Sequence, residues 1–181
     1  GDATSTAIAG QITGTGSLIK TGTGTVTLSG TNAYASTFIS QGTIRSATAA
    51  STSGTVTLGD ANTGANNVAW LFAGSTTPAN PLVVNNQGTG TATLGTYSGG
   101  SFTSHSGTLT LSRAVTLTDA TGDRTTFTGA ISGNVGLITI AGTRVTFANG
   151  TNSFVGNMTI NSGSIYQNDG AGAIPDATSV N

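Results

Sequence analysis

The 181-residue sequence has no cysteine and no glutamate, one histidine, one methionine and one tryptophan, and only 6% of its residues are charged. Each scarcity excludes something. Without cysteine there are no disulfides and no thiolate-ligated metals, and a chain without thiols suits export to an oxidising compartment. The five basic residues, Lys20, Arg45, Arg113, Arg124 and Arg144, are scattered, and six aspartates bring the net charge to -1. Tight binding to a phosphate backbone needs clustered cations. Nucleic acid is therefore not an expected partner, nor is an anionic membrane surface. No apolar run approaches the roughly 20 residues that span a bilayer. There is no signal peptide at Gly1 and no initiating methionine, so the sequence reads as a processed chain or a segment of a longer one.

What is abundant is small and polar. There are 28 glycines, and threonine is about one residue in five. Apolar residues nevertheless fall in alternating clusters that bury a core, which argues against disorder. VTL at 26–28 and 56–58, LTL at 109–111, VTL at 115–117, ITI at 138–140 and VTF at 145–147 all have period two with threonine in the middle. In a strand this sets the apolar pair on one face and the hydroxyl on the other. Val26, Leu28, Val145 and Phe147 are thus expected inward, and Thr25, Thr27, Thr143 and Thr146 outward. No segment has helical spacing. Glycine, asparagine and aspartate punctuate the strands at Gly22, Gly30, Gly42, Asn62, Gly88, Gly142 and Gly150, among others, and read as corners.

The chain also repeats itself. Residues 14–44, GTGSLIKTGTGTVTLSGTNAYASTFISQGTI, match residues 133–165, GNVGLITIAGTRVTFANGTNSFVGNMTINSGSI. Ile12 answers to Ile131, Val26 and Leu28 to Val145 and Phe147, and Gly30, Asn32 and Tyr34 to Gly150, Asn152 and Phe154. Self-similarity of this kind marks a repeat architecture. It favours a solenoid over a sandwich, as does the scarcity of two-residue hairpin turns. The expected organisation is one β-solenoid domain over 1–181, with repeat copies at about 12–44 and 131–165 and an irregular, loop-bearing region at about 60–105. Coils of roughly 20–25 residues give about seven to nine turns. At about 4.8 Å per coil the rod would be about 35–45 Å long. Within the irregular region, which holds Trp70, Pro78 and Pro81, strands are expected at 67–73 and 82–85. They are joined by a loop that leaves the solenoid outline.

The run of Leu18, Lys20, Thr21, Gly22, Gly24, Thr25, Val26, Thr27, Leu28, Ser29, Gly30, Asn32 and Tyr34 resembles the autotransporter-associated β-strand repeat. The second copy departs from it, with Ile140 in place of the lysine and Arg144 with no second glycine. The stretch 108–133 and the tail GAIPDATSV at 172–180 are similar to the spacers between such repeats. The resemblance implies a secreted passenger region of a bacterial surface protein, folded as a right-handed parallel β-helix, and no particular activity.

Candidate chemistry is thin. His105, the single histidine, lies in the polar run TSHSG without a G-x-S-x-G elbow, and reads as a solvated turn residue rather than a triad member. Asp119, Asp123 and Arg124 are the one local group with carboxylates and a cation. A polysaccharide lyase or hydrolase needs more carboxylates on one face. The same spacing suggests a weak Ca²⁺ site at Asp119 and Asp123, or two aspartates capping a turn. The glycine pairs in GTGTV (22–26) and GTGTAT (88–93) precede no helix and carry no P-loop lysine, so phosphate cradling is excluded. The T-x-T pairs beginning at Thr25, Thr55, Thr91, Thr108 and Thr116 resemble ice-binding ladders on other solenoids. Their steps of 30, 36, 17 and 8 residues argue against a single register.

The sequence thus predicts an all-β, single right-handed parallel β-helix with no catalytic residues and no cofactor. Its expected role is a structural or adhesive segment of a secreted, extracellular cell-surface protein. A self-assembling fibre subunit is the first alternative and a polysaccharide-acting enzyme the second. Expected partners are covalent solenoid neighbours or like subunits at uncapped ends, with surface carbohydrate or protein at the 60–105 loops.

Overall fold

The computed structural model describes residues 4–98, 102–120, 123–167, 174–175 and 178–180, with the backbone alone described for 102, 135–143, 162–164, 166–167 and 178–180. It is an all-β solenoid of parallel strands with no helix among the described residues. Consecutive strands fall on different faces, and each pairs with a strand one coil away.

The first face stacks β1 (Thr6–Ile8), β3 (Thr25–Leu28), β5 (Gly42–Ser46), β7 (Val68–Ala73), β9 (Ala92–Ser98) and β12 (Val115–Thr118). It continues through the middle of β14 (Ile131–Phe147), β15 (Val155–Gln167) and β16 (Thr178–Val180). The second face stacks β2 (Leu18–Lys20), β4 (Ser36–Ile39), β6 (Thr55–Leu58), β8 (Leu82–Val84), β11 (Leu109–Leu111) and the start of β14. A third stack joins β10 (Phe102–His105), β13 (Arg124–Phe127) and the ends of β14 and β15. Among the described residues the first face stacks nine strands, and the coil length ranges from 18 residues between Val26 and Ile44 to 27 between Val84 and Leu111.

The alternating sequence dictates which side chains enter. On the first face Val26, Ile44, Trp70, Leu94 and Leu117 stack in one inward column, and the last four are fully buried. Leu28, Val145 and Phe147 are fully buried as expected, while Val26, near the first coil, is half-buried. The Trp70 indole N–H is satisfied inside by Ser46 Oγ at 2.7 Å. A row of aromatic rings runs up the core: Phe72, His105, Phe127, Phe147 and Phe154, with centroids 5.9 to 6.3 Å apart. Such offset and tilted contacts add to the burial of the rings themselves.

The two repeat copies make the same inter-coil bonds. Asn32 Oδ1 accepts the Ile12 N–H at 2.7 Å, and Asn152 Oδ1 accepts the Ile131 N–H at 2.8 Å. The Ala33 N–H then donates to Ile12 O, and the Ser153 N–H to Ile131 O. Asn32 also donates to Ser51 O at 2.7 Å, so one buried side chain ties three coils.

Two expectations need correction. Thr146 is buried rather than solvent-facing, and its register partner Thr126 is buried too, so the outer side of this part of β13 and β14 is covered. The side chain of Thr143 lies outside the described residues, as do residues 172–173 and 176–177 of the tail. The strands expected at 67–73 and 82–85 are β7 and β8, yet the loop between them stays in the stack. Ser104 N–H donates to Thr76 O at 3.1 Å, Ser106 N–H to Pro78 O at 2.9 Å, and Val56 N–H to Pro81 O at 2.9 Å. The two prolines contribute carbonyls to the ladders where they lack an N–H.

Candidate functional site

The titratable groups are engaged in architecture. His105 is fully buried in the aromatic row, not solvated as its polar neighbours suggested. Its Nε2 lies 3.1 Å from Asn80 O, and its ring stacks on Phe72 at 5.9 Å and 18°. Burial lowers its pKa to about 4, against smaller upward pulls from the backbone of Asn80 and Gly107. It is a neutral core residue at neutral pH. The register that pairs β10 with β13 and β13 with β14 aligns His105 with Phe127 and Phe147. The sequence carries that equivalence only from coil to coil, where SHSG, TFTG and TFANG follow one another at near-constant spacing.

Asp119 and Asp123 lie between β12 and the start of β13. The Asp119 carboxylate accepts the backbone N–H of Arg144, 2.7 Å away on the next coil. Asp123 is buried, and its N–H closes a turn on Ala120 O at 3.0 Å. No group of three or more His, Cys, Asp or Glu side chains comes together among the described residues.

The GTG segments are corners whose carbonyls turn towards a cation. Lys20 is buried, and its Nζ donates to Thr21 O (2.9 Å), Gly22 O (2.5 Å) and Gln41 O (3.1 Å). Arg113 Nη1 donates to Gly88 O at 3.0 Å and Gly90 O at 2.7 Å. Burial pushes the pKa of both down. A phosphate cradle aims N–H groups at its ligand; these corners aim C=O groups at a side chain, so they are built for the opposite charge. Arg45 lies over the Tyr97 ring, 4.9 Å from its centroid.

The outer surface of the first face carries a feature that sequence spacing concealed. Thr25, Thr43, Ala69, Thr93, Thr116, Thr139 and Thr159 follow one another in strict register, one per coil. The adjacent column reads Thr27, Arg45, Leu71, Gly95 and Thr118, so the T-x-T pairs do not persist. The irregular steps arose because Thr57 and Thr110 belong to the second face, where both align with Val83. Beside the threonine column runs a furrow. One part, about 570 Å³, is lined by Thr43, Asn66, Asn67, Ala69, Thr91 and Thr93, among others. A second part, about 380 Å³, shares Thr91 and extends along Gly88–Gly90 to Arg113 and Thr116.

A recurrent coil of parallel strands, locked by buried asparagines and carbonyl-bound cations, defines a repeat protein whose recurring geometry serves stacking. Residues 18–45 match the family model of the passenger-associated-transport-repeat. The match spans β2 to β5 and takes in Lys20, Gly22, Gly42 and Asn32. It agrees with the autotransporter repeat resemblance of the same stretch, and repeat and solenoid together fit a passenger-like structural segment. No curated protein and no solved structure matches the chain.

Proposed function

We infer that this chain is a stiff stalk segment of a bacterial surface passenger, secreted to the cell exterior, whose work is mechanical and interfacial with no chemical step. The observation that carries this reading is the passenger-associated-transport-repeat at 18–45 embedded in a continuous solenoid. The repeat is a structural one, its Lys20 and Asn32 are engaged in joining coils, and the Asp119 carboxylate holds a backbone N–H of the next coil. The outer edges of β1 and β2 support continuation of the stack by further coils, from a covalent neighbour first and a like subunit second. Ile8, Ile12, Leu18 and Val26 are only partly buried there, and Ile19 is 57% exposed. Unpaired strand edges of this kind template another strand. The test is antibody labelling of the native producer with serum raised against this chain. Labelling of intact cells, lost after external protease, is the expected result. Labelling that requires permeabilisation overturns the reading.

A further inference from the structure

We propose that the furrow beside the threonine column is a binding site for a neutral glycan chain lying along the solenoid axis. Its floor is the outward side of β5, β7, β9 and β12, where Ala69 interrupts the column and deepens the cleft. Its wall is formed by the turn residues Asn66 and Asn67 before β7 and Gly88–Thr91 before β9.

The lining offers hydrogen-bonding groups that the fold does not use. Among the described residues the hydroxyls of Thr23, Thr43, Thr93 and Thr116 engage no protein partner. Elsewhere on the molecule, the hydroxyls of Thr76, Thr103 and Thr125 are tied to backbone carbonyls. Asn67 Oδ1 accepts the Thr91 N–H at 2.8 Å and Asn66 Nδ2 donates to Thr63 O at 2.9 Å. One amide is left with donors and the other with an acceptor, both at the furrow. A sugar hydroxyl is donor and acceptor at once, and meets such a pair on both counts.

Charge and repeat narrow the ligand further. No carboxylate or lysine lines the two parts, and the one cation, Arg113, is held by Gly88 O and Gly90 O. A polyanion finds no free cation here, and a cationic peptide no carboxylate. The column rises about 4.8 Å per coil, close to the length of one pyranose in an extended chain. A single column, broken at Ala69 and bounded by Arg45 and Leu71, is too narrow and uneven for a flat crystal face such as ice, and suits a chain-like ligand.

The proposal rests on the surface-stalk reading only for its setting, since binding is measured on the isolated chain and cell-surface labelling is scored separately. The experiment is an amide chemical-shift titration of the folded chain with cellohexaose, chitohexaose and isomaltohexaose, with heparin as the polyanionic control. The expected result is saturable shifts at Thr43, Ala69 and Thr93 with at least one neutral hexaose and none there with heparin. Thr43→Val with Thr93→Val keeps the β-branched shape while removing two hydroxyls. It should weaken that binding by about tenfold or more at unchanged melting temperature. Ala69→Trp, a second variant that fills the cleft from outside, should abolish it. The proposal is overturned if no hexaose shifts these residues, if shifts map to another surface, or if heparin alone binds. Unaltered affinity in both variants also overturns it.

Discussion

Buried polar residues decide how this solenoid holds together, and they respond to mutation and pH in ways its apolar residues do not. Asn32 satisfies the Ile12 N–H and the Ser51 carbonyl from one buried position. Asn32→Ala removes both partners and is expected to cost about 2–4 kcal/mol in chemical denaturation. An exposed change such as Asn67→Ala should cost well under 1 kcal/mol on the same scale. Unchanged denaturation midpoints in Asn32→Ala would contradict the three-coil role. His105 makes the pH prediction. Its folded pKa, about 4, lies below the ordinary histidine value of 6.5, so the unfolded chain binds the proton first. Its contribution is full above about pH 6.5 and is lost as pH falls towards 4, about 3 kcal/mol in all. His105→Phe keeps an aromatic ring in the row and should flatten the stability profile over that window; an identical slope in both proteins would sink the assignment. The inward apolar residues were legible from period-two alternation. His105 was not, because its neighbours Ser104 and Ser106 are polar and only comparison with Phe127 and Phe147 one and two coils on reveals its column.

At the scale of strands and corners, backbone geometry limits what the sequence tolerates. Gly42 has φ +74, and a Cβ there would sit 2.5 Å from both Gly22 O and Gly24 O and 2.8 Å from Lys20 Nζ. Gly64 has φ +55 and open space around it. Gly64→Ala should therefore cost about 1 kcal/mol from backbone strain alone, and Gly42→Ala about 3 kcal/mol or more because the corner must also move. Equal melting temperatures for the two variants would show that the Lys20 corner is not tightly built. Gly22, Gly64 and Gly88 marked corners in the sequence, whereas Gly142 lies within β14. Spacing marked registers poorly, because the chain visits two or three faces per turn and the coils vary in length. Thr55, Thr57, Thr108 and Thr110 on the second face interleave with Thr25, Thr93 and Thr116 on the first. A regular column thus appears as an irregular series. The 74–81 loop was misjudged for a related reason: its prolines suggested departure from the stack, but their carbonyls remain in the ladder.

For the whole molecule, each coil contacts chiefly its neighbours, so stiffness depends on uninterrupted inter-coil ladders and a continuous core. The described strands provide both, with every named pair parallel from β1 to β16. A stalk of this build transmits position along its axis and leaves its outer columns to bind. The absence of cysteine allows a direct measurement. Spin labels on Thr25→Cys and Thr159→Cys occupy the same outward column, six register steps apart. At about 4.8 Å per step the account predicts one narrow distance distribution centred near 29 Å. A broad distribution, or a mean far from that value, would contradict a rigid, in-register parallel solenoid.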